Sequence, residues 1–116
     1  MTAAYTFTVP TRPVGKQRPR VYRGRAVTPK RTRDYEEAVA LYARGAGVKP
    51  ISGQVSLTVD LFYDDRRHRD IDNAIKSIQD ALEGIAYAND RQIHRLKATK
   101  QTGCDVAKAV ITVEEI

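Results

Sequence analysis

Two aspartates separated by one apolar residue stand at the centre of the sequence, in the run Arg69-Asp70-Ile71-Asp72-Asn73. The pattern places this run where a strand has ended and a helix begins, so both carboxylates point into the same local space. The free backbone N–H groups of a helix N-terminus favour negative charge there. A hard divalent cation requires clustered carboxylate oxygens, and Mg²⁺ combines a few of them with water and substrate phosphate. Asp70 and Asp72 are therefore candidate ligands for a metal ion that assists the hydrolysis of phosphodiesters.

A further acidic position, Asp90, lies in the run Ala88-Asn89-Asp90-Arg91-Gln92, just before the third long strand that the sequence predicts. If that strand pairs beside the second, we expect both acidic motifs to reach the same end of the sheet. Asp90 would then complete the metal site. This step is a hypothesis about topology, because strand order is not written in the sequence.

Lys76 follows Asp72 by one helical turn, so both residues share a polar helix face. Two interpretations of Lys76 stay open. Its ammonium group contacts the scissile phosphate or stabilises the developing negative charge. Alternatively, it forms an ordinary exposed ion pair with Asp72, worth about 0.3–0.5 kcal/mol. Asp80 continues the same face, and its favoured interpretation is a surface partner for Lys76.

Basic residues adjoin the acidic pair, because Arg66, Arg67, His68 and Arg69 directly precede it. The formal net charge is +6, and no acidic residue occurs before Asp34. Lysine and arginine neutralise backbone phosphates, whereas carboxylates repel them unless a metal intervenes. Their juxtaposition is typical of a metal-dependent phosphodiester site. The alternative is a helix cap among surface charges, with the basic N-terminal segment serving as a solubilising arm.

Hydrophobic periodicity predicts four long strands and two helices. Strands are expected at about 4–9, 54–63, 92–99 and 105–113, and helices at about 33–44 and 71–83. Thr32 or Asp34 is expected to cap the first helix. Residues 10–31 form a basic segment with a small hairpin near Arg23-Gly24-Arg25. The order β-α-β-α-β-β predicts an α/β (α+β) fold, in which a mixed four-stranded sheet carries both helices on one face. We expect one two-layer domain over residues 1–116.

Composition excludes several classes of protein. The 116 residues are 41% hydrophobic and 29% charged, which is typical of a globular domain. No apolar run approaches the roughly 20 residues of a membrane span, and no secretory signal is evident. Cys104 is the only cysteine, so an internal disulfide and a cysteine-based zinc site are excluded. These features favour a reducing cytoplasm.

The run from Asp64 to Leu82 resembles the central motif of the RusA family of Holliday junction resolvases, which is often found in phages and prophages. The matching features are the basic-Arg-Asp-apolar-Asp-Asn core, the lysine four residues later and the Asp-Ala-Leu that follows. The run Asn89-Asp90-Arg91-Gln92-Ile93 is similar to the family's acidic element. The run from Pro13 to Arg20 resembles the basic motif of phage-type members. The resemblance covers nearly the whole chain.

This resemblance implies a metal-dependent endonuclease that acts as a homodimer on four-way DNA junctions. It implies that Asp70, Asp72 and Asp90 bind Mg²⁺ and that Lys76 is an essential basic residue of the active site. Mn²⁺ also suits oxygen ligands. A C2 dimer offers two equivalent sites for two matching nicks in a roughly two-fold symmetric junction. The candidate contacts to the DNA backbone are Lys16, Arg18, Arg20, Arg66, Arg67, Arg69 and Arg91.

Two other functions stay open. A non-catalytic nucleic-acid-binding protein, such as a phage accessory factor, would keep the basic arm but would need no acidic triad. A basic structural protein of an RNA–protein particle would bind RNA duplex and DNA junction equally, without cleavage. Nicking of a synthetic junction with and without Mg²⁺ distinguishes the enzyme from both alternatives.

Overall fold

The computed structural model describes residues 2–17 and 20–116. In chain order the elements are β1 (Ala4–Val9), β2 (Arg20–Tyr22), β3 (Arg25–Val27), α1 (Lys30–Gly45), β4 (Val55–Phe62), α2 (Ile71–Leu82), β5 (Ile93–Gln101) and β6 (Lys108–Glu115). A 3₁₀ turn, Asp90–Gln92, directly precedes β5. The predicted α+β fold and the order of its main elements are confirmed.

The four long strands form one mixed sheet in the order β1-β6-β4-β5. Strand β6 runs antiparallel to both β1 and β4, whereas β4 and β5 run parallel. Parallel neighbours cannot be joined by a tight hairpin and need a crossover. Helix α2 supplies that crossover, so it must travel from the end of β4 back toward the start of β5.

One face of the sheet carries the core. Alternate residues of the central strand β4, namely Val55, Leu57, Val59 and Leu61, are completely buried, as the alternation predicts. They join the buried residues of both helices in a single apolar cluster. The opposite face is polar, and there the Thr99 hydroxyl donates a hydrogen bond of 2.6 Å to Asp60. Both helices therefore cover the same side of the sheet, as expected.

Helix α1 begins earlier than predicted. Pro29 is its N-cap residue, and no side chain caps the helix, so the expectation of a Thr32 or Asp34 cap is wrong. Thr32 is instead buried, and its hydroxyl accepts a hydrogen bond from the backbone N–H of Gln17. The apolar spacing of this helix also predicts a buried Tyr42, but Tyr42 is 40% exposed and the neighbouring Ala43 is buried.

Helix α2 follows its predicted pattern closely. The stripe of Ala74, Ile75, Ile78 and Leu82 is buried, and Ser77 is the one polar residue of the helix that is buried with it. Gly84, which has a positive φ of 85°, lies just beyond the helix end. A left-handed backbone here favours glycine.

The connection between β5 and β6 is longer than predicted, and β6 begins at Lys108 rather than near residue 105. The turn is bound to the connector after β4. The Gly103 N–H donates to the Asp65 carbonyl, and the Cys104 N–H donates to the Tyr63 carbonyl. Gly103 and Cys104 thus hold the connector that follows β4.

The hairpin within the basic segment is confirmed. Strands β2 and β3 pair antiparallel, with Val21 opposite Ala26. Arg23 and Gly24, with φ angles of 51° and 75°, form the two-residue turn. Positive φ at both positions suits the twist of a tight hairpin. Of the predicted DNA contacts in this segment, Arg18 and the side chain of Arg20 lie outside the described part of the chain. No helix among the described residues is long and apolar enough to cross a membrane.

Tyr35 of α1 is only 3% exposed, and its hydroxyl has no hydrogen-bond partner among the described residues. Burial raises the pKa of Tyr35 well above its usual range, with a smaller contribution from Tyr63. A buried hydroxyl without a partner destabilises the folded state, because its hydrogen bonds to water are lost.

We expect Tyr35→Phe to raise the free energy of unfolding by about 1 kcal/mol, because the substitution removes the unpaired hydroxyl and keeps the ring. Urea unfolding followed by circular dichroism measures the change. Tyr42→Phe is the matched control and should have almost no effect, because Tyr42 is much more exposed. A clear destabilisation by Tyr35→Phe would contradict the prediction.

Candidate active site

The carboxylates of Asp70 and Asp72 lie at the start of α2. Asp70 is the N-cap residue but makes no capping hydrogen bond with its side chain. Asp72 lies in the first turn, and its Oδ1 accepts a hydrogen bond of 3.0 Å from the N–H of Asn73. Both residues are exposed. The simple interpretation of Asp70 as a helix cap therefore fails, and its carboxylate faces solvent at the positive end of the helix dipole.

Lys76 lies between two other carboxylates. Its Nζ is 3.2 Å from Oδ1 of Asp80 and 3.8 Å from Oδ2 of Asp90. The pairing with Asp80 confirms the surface partner expected from their spacing, and the alternative Asp72–Lys76 ion pair is not formed. The Lys76 side chain is 50% exposed, so each ion pair adds little stability. The contact instead brings Asp90 to the polar face of α2.

Asp90 does not reach that face by the predicted route. Strands β4 and β5 are neighbours, as expected, but they run parallel. Asp70 follows the end of β4, whereas Asp90 precedes the start of β5, so the expectation that both motifs lie at the same end of the sheet is wrong. Helix α2, about 18 Å long at 1.5 Å per residue, bridges the two ends. Asp90 meets it at Lys76.

Asp70, Asp72 and Asp90 do not form a preassembled metal cage in the single chain. Among the described residues, no group of three or more histidine, cysteine, aspartate or glutamate side chains is arranged to hold a metal ion. The structure instead divides the site into two parts. Asp70 and Asp72 form one part at the helix start, and Lys76 with Asp90 forms the other further along the helix.

A cleft of about 250 Å³ lies beside Asp70, between the start of α2 and the N-terminal loop. Its lining is mainly polar and basic: Pro13, Val14, Gly15, Lys16, Gln17, Arg31, Tyr63, Arg67, Arg69, Asp70 and Asn73. Two of the predicted DNA-contacting arginines, Arg67 and Arg69, therefore lie beside the candidate metal ligand Asp70. Arg31, which was not among the predicted DNA contacts, also lines the cleft.

Arg69 is held rigidly at the edge of this cleft. Its guanidinium donates two hydrogen bonds, of 2.6 and 3.0 Å, to the Asp65 carboxylate. It also lies over the Tyr63 ring, 4.4 Å from the centroid. The hydrogen bonds to Asp65 raise the pKa of Arg69 and hold the pKa of Asp65 well below its usual range. Two of the five guanidinium N–H groups are used, so three remain for a ligand.

The N-terminal loop is attached to α2 by its backbone. The Lys16 N–H donates to the Asn73 carbonyl at 2.9 Å, and the Ser77 hydroxyl donates to the Val14 carbonyl at 2.7 Å. A Cβ on Gly15 would lie 3.2 Å from the Cβ of Asn73, so glycine allows this close approach. The basic segment therefore begins from a fixed point on the helix that carries the candidate site.

Lys16, predicted to contact DNA, pairs with two carboxylates in the folded chain. Its Nζ lies 2.9 Å from Glu36 and 3.0 Å from Asp80. Partial burial opposes the charged form, but these two hydrogen bonds outweigh it and raise the pKa of Lys16. These two carboxylates already neutralise the charge of Lys16. Its contact with DNA stays a prediction. Both partners belong to helices, so Lys16 ties the loop to α1 and α2.

The remaining predicted basic contacts are Arg66, Arg67 and Arg91, and all three are exposed. Arg66 packs against Gly103, and Arg91 Nε donates to Asn89 Oδ1 at 3.3 Å. The partners that orient these basic groups were not predicted from the sequence. The spacing of four between Asp65 and Arg69 was one available signal. No such spacing in the sequence indicates Glu36, because its contact with Lys16 depends on how the N-terminal loop packs against α1.

An acidic helix start beside an arginine-lined cleft, on a two-layer α+β fold, is typical of a protein that hydrolyses nucleic-acid phosphodiesters. A family model described as Endodeoxyribonuclease RusA matches residues 10–114, so the chain belongs to the RusA family. It is accordingly a structure-specific endonuclease of the Holliday junction resolvase type. A comparison with curated proteins found no match. The family predicted from the sequence motifs is confirmed.

The depressed pKa of Asp65 predicts a specific acid sensitivity. A carboxyl group whose pKa falls on folding stabilises the protein above its unfolded pKa of about 3.9 and loses that contribution as pH falls further. Asp65→Asn should therefore lower the free energy of unfolding at pH 7, and the difference from wild type should shrink toward pH 2. Urea unfolding at several pH values measures it. Asp105→Asn, at an exposed position, is the control. An equal loss at pH 7 and pH 2 would contradict the assignment.

Proposed function

We propose that this chain resolves four-way DNA junctions by two symmetric nicks, as a homodimer that depends on Mg²⁺. Asp70, Asp72 and Asp90 are the proposed metal-binding carboxylates. Lys76 is the proposed catalytic cation, whose ammonium group neutralises negative charge on the scissile phosphate. The observation that most supports this assignment is the approach of Asp90 to Lys76, one helical turn from Asp72. Membership of the RusA family supplies the class of reaction.

The donor set of the proposed site suits Mg²⁺. All three residues offer carboxylate oxygens, which this ion prefers, and Mn²⁺ accepts the same ligands. Mg²⁺ is usually bound through one or two carboxylates together with water and substrate phosphates. A complete protein cage is therefore unnecessary before DNA binds. When bound, the metal would supply an activated water and charge neutralisation at the phosphate.

The basic residues of the chain have distinct proposed roles. The Lys76 ammonium, half exposed on the polar face of α2, stabilises negative charge on the phosphate during cleavage. Arg69, held by Asp65 and Tyr63, presents its remaining N–H groups to a backbone phosphate. Arg66, Arg67, Arg91 and the basic hairpin extend this contact along the DNA. Such contacts position the duplex without reading its sequence.

The proposed assembly follows from the symmetry of the substrate. A junction is roughly two-fold symmetric, and a C2 dimer presents two equivalent sites to it. We place the protein in the cytoplasm of a bacterial or phage-infected cell, at DNA. We also propose that residues 1–116 act as one domain.

We expect Asp72→Asn and Asp90→Asn each to reduce Mg²⁺-dependent cutting of a synthetic four-way junction by at least about 100-fold, because each removes metal-borne charge stabilisation. Lys76→Met should reduce the rate by about 10²–10³-fold for the same electrostatic reason. Single-turnover rates on a labelled junction measure both effects. Junction affinity in Ca²⁺ should stay close to that of wild type.

Glu114→Gln is the matched control, since it removes an exposed acidic charge from β6 on another part of the surface. Cutting by Asp72→Asn at the wild-type rate would remove Asp72 from the site. Binding without cutting by the wild-type chain, in either Mg²⁺ or Mn²⁺, would favour the non-catalytic alternative.

Arg67→Ala should weaken junction binding and reduce the slope of log affinity against log salt by about one, as the loss of one phosphate contact predicts. Fluorescence anisotropy at several salt concentrations measures the slope. Lys49→Ala, which removes the same charge from an exposed loop after α1, is the control. If both variants changed the slope equally, the effect would come from net charge and not from the cleft.

A further inference from the structure

The side chain of Gln92 uses all of its hydrogen-bonding groups. Its Oε1 accepts from the backbone N–H groups of Ala88 and Asn89, at 2.8 and 3.1 Å. Its Nε2 donates to the carbonyls of Ile51 and Gly53, at 2.7 and 3.0 Å. A primary amide has two acceptor sites and two N–H donors, so none is left unused. All four partners are backbone groups.

These bonds join two segments that are distant in the sequence. One is the segment 51–53 that leads into β4, and the other is the turn 88–92 that carries Asp90. The turn is also closed by Asn89, whose Oδ1 accepts from the Arg91 N–H at 2.8 Å. The N–H of Asp90 donates to Glu83 at 3.2 Å. Gln92 is thus the side chain that connects this turn to the start of the central strand.

The sheet alone holds the turn less firmly than a regular ladder would. The pairing of β4 with β5 shifts at its first step, where Val55 pairs with Ile93 but Ser56 pairs with Arg95. His94 is therefore an extra residue, and the ladder is irregular directly after the turn. A side chain that crosslinks this region can fix an orientation that the irregular ladder leaves less determined.

We infer that Gln92 is a positioning residue, which fixes the 88–92 turn and so holds Asp90 toward Lys76 and the polar face of α2. The inference rests on the proposed catalytic role of Asp90. Gln92 itself acts through the backbone of the turn and is not assigned a contact with metal or DNA. An amide is required, because only an amide donates to two carbonyls while it accepts from two N–H groups.

Gln92→Glu is the sharpest test, since it keeps the shape and the acceptor atom but replaces the Nε2 donor with a second oxygen. That oxygen would face the carbonyls of Ile51 and Gly53 and repel them. We expect single-turnover cutting of the four-way junction to fall by about 10–100-fold, as for other residues that orient metal ligands. The Mg²⁺ concentration for half-maximal rate should rise, while junction affinity in Ca²⁺ stays within about twofold of wild type, because the proposed DNA contacts other than Arg91 lie outside the 88–92 turn.

Gln54→Glu is the matched control, because it adds the same charge nearby at an exposed position. Its rate and Mg²⁺ dependence should equal those of wild type. An equal loss in Gln54→Glu would assign the effect to charge and overturn the inference. A wild-type rate and unchanged Mg²⁺ dependence in Gln92→Glu would also overturn it.

A double-mutant cycle separates positioning from a general loss of structure. If Gln92 acts through Asp90, Gln92→Glu should have almost no further effect on cutting in an Asp90→Asn background. Fully additive losses would contradict the inference while leaving the nuclease function intact. Failure of the wild-type chain to cut would instead contradict the proposed function.

Amide hydrogen exchange tests the structural step without any variant. The N–H groups of Ala88 and Asn89 both bond to the Gln92 side chain, so the wild-type protein should protect them from exchange. Rapid exchange at both positions would overturn the inference even if Gln92→Glu did not fold.

Discussion

The crossover between two parallel strands is the constraint on which the site depends. Strands β4 and β5 lie side by side and point the same way, so the chain must return along the sheet between them. Helix α2 makes that return with its apolar stripe in the core. Its polar face therefore stays outside, carrying Asp70 and Asp72 at the beginning and Lys76 further along. The turn before β5 then brings Asp90 to the same face.

Alternating charges connect the elements around this helix. The chain of contacts runs through Glu36, Lys16, Asp80, Lys76 and Asp90, with each neighbouring pair within 4 Å. It joins α1, the N-terminal loop, α2 and the 3₁₀ turn. Because these side chains are partly exposed, the ion pairs add little to the free energy of unfolding. Their main effect is to orient the charged side chains relative to one another. Asp80 is central to this arrangement, since it is shared by a lysine of the loop and the lysine of the candidate site.

The basic side of the site is ordered by a different means. Arg69 is fixed by a two-pronged hydrogen bond to Asp65 and by contact with the Tyr63 ring. The same connector is held by the β5–β6 turn through the Asp65 and Tyr63 carbonyls. A guanidinium oriented in advance loses less conformational entropy when it binds phosphate. The cleft beside Asp70 is therefore bounded by the oriented Arg69 side chain and by the N-terminal loop, which is hydrogen-bonded to α2.

The sequence by itself determined the family, the order of the main strands and helices, and the buried stripes of β4 and α2, because apolar periodicity and the Asp70-to-Asp80 spacing are local properties of the chain. It also predicted the Lys76–Asp80 pair, which needs only one helical turn. Only the tertiary structure decided where Asp90 lies, because strand direction depends on pairing between distant segments. The double pairing of Lys16 and the four bonds of Gln92 were likewise decided there. Their partners come from separate elements that no local spacing brings together.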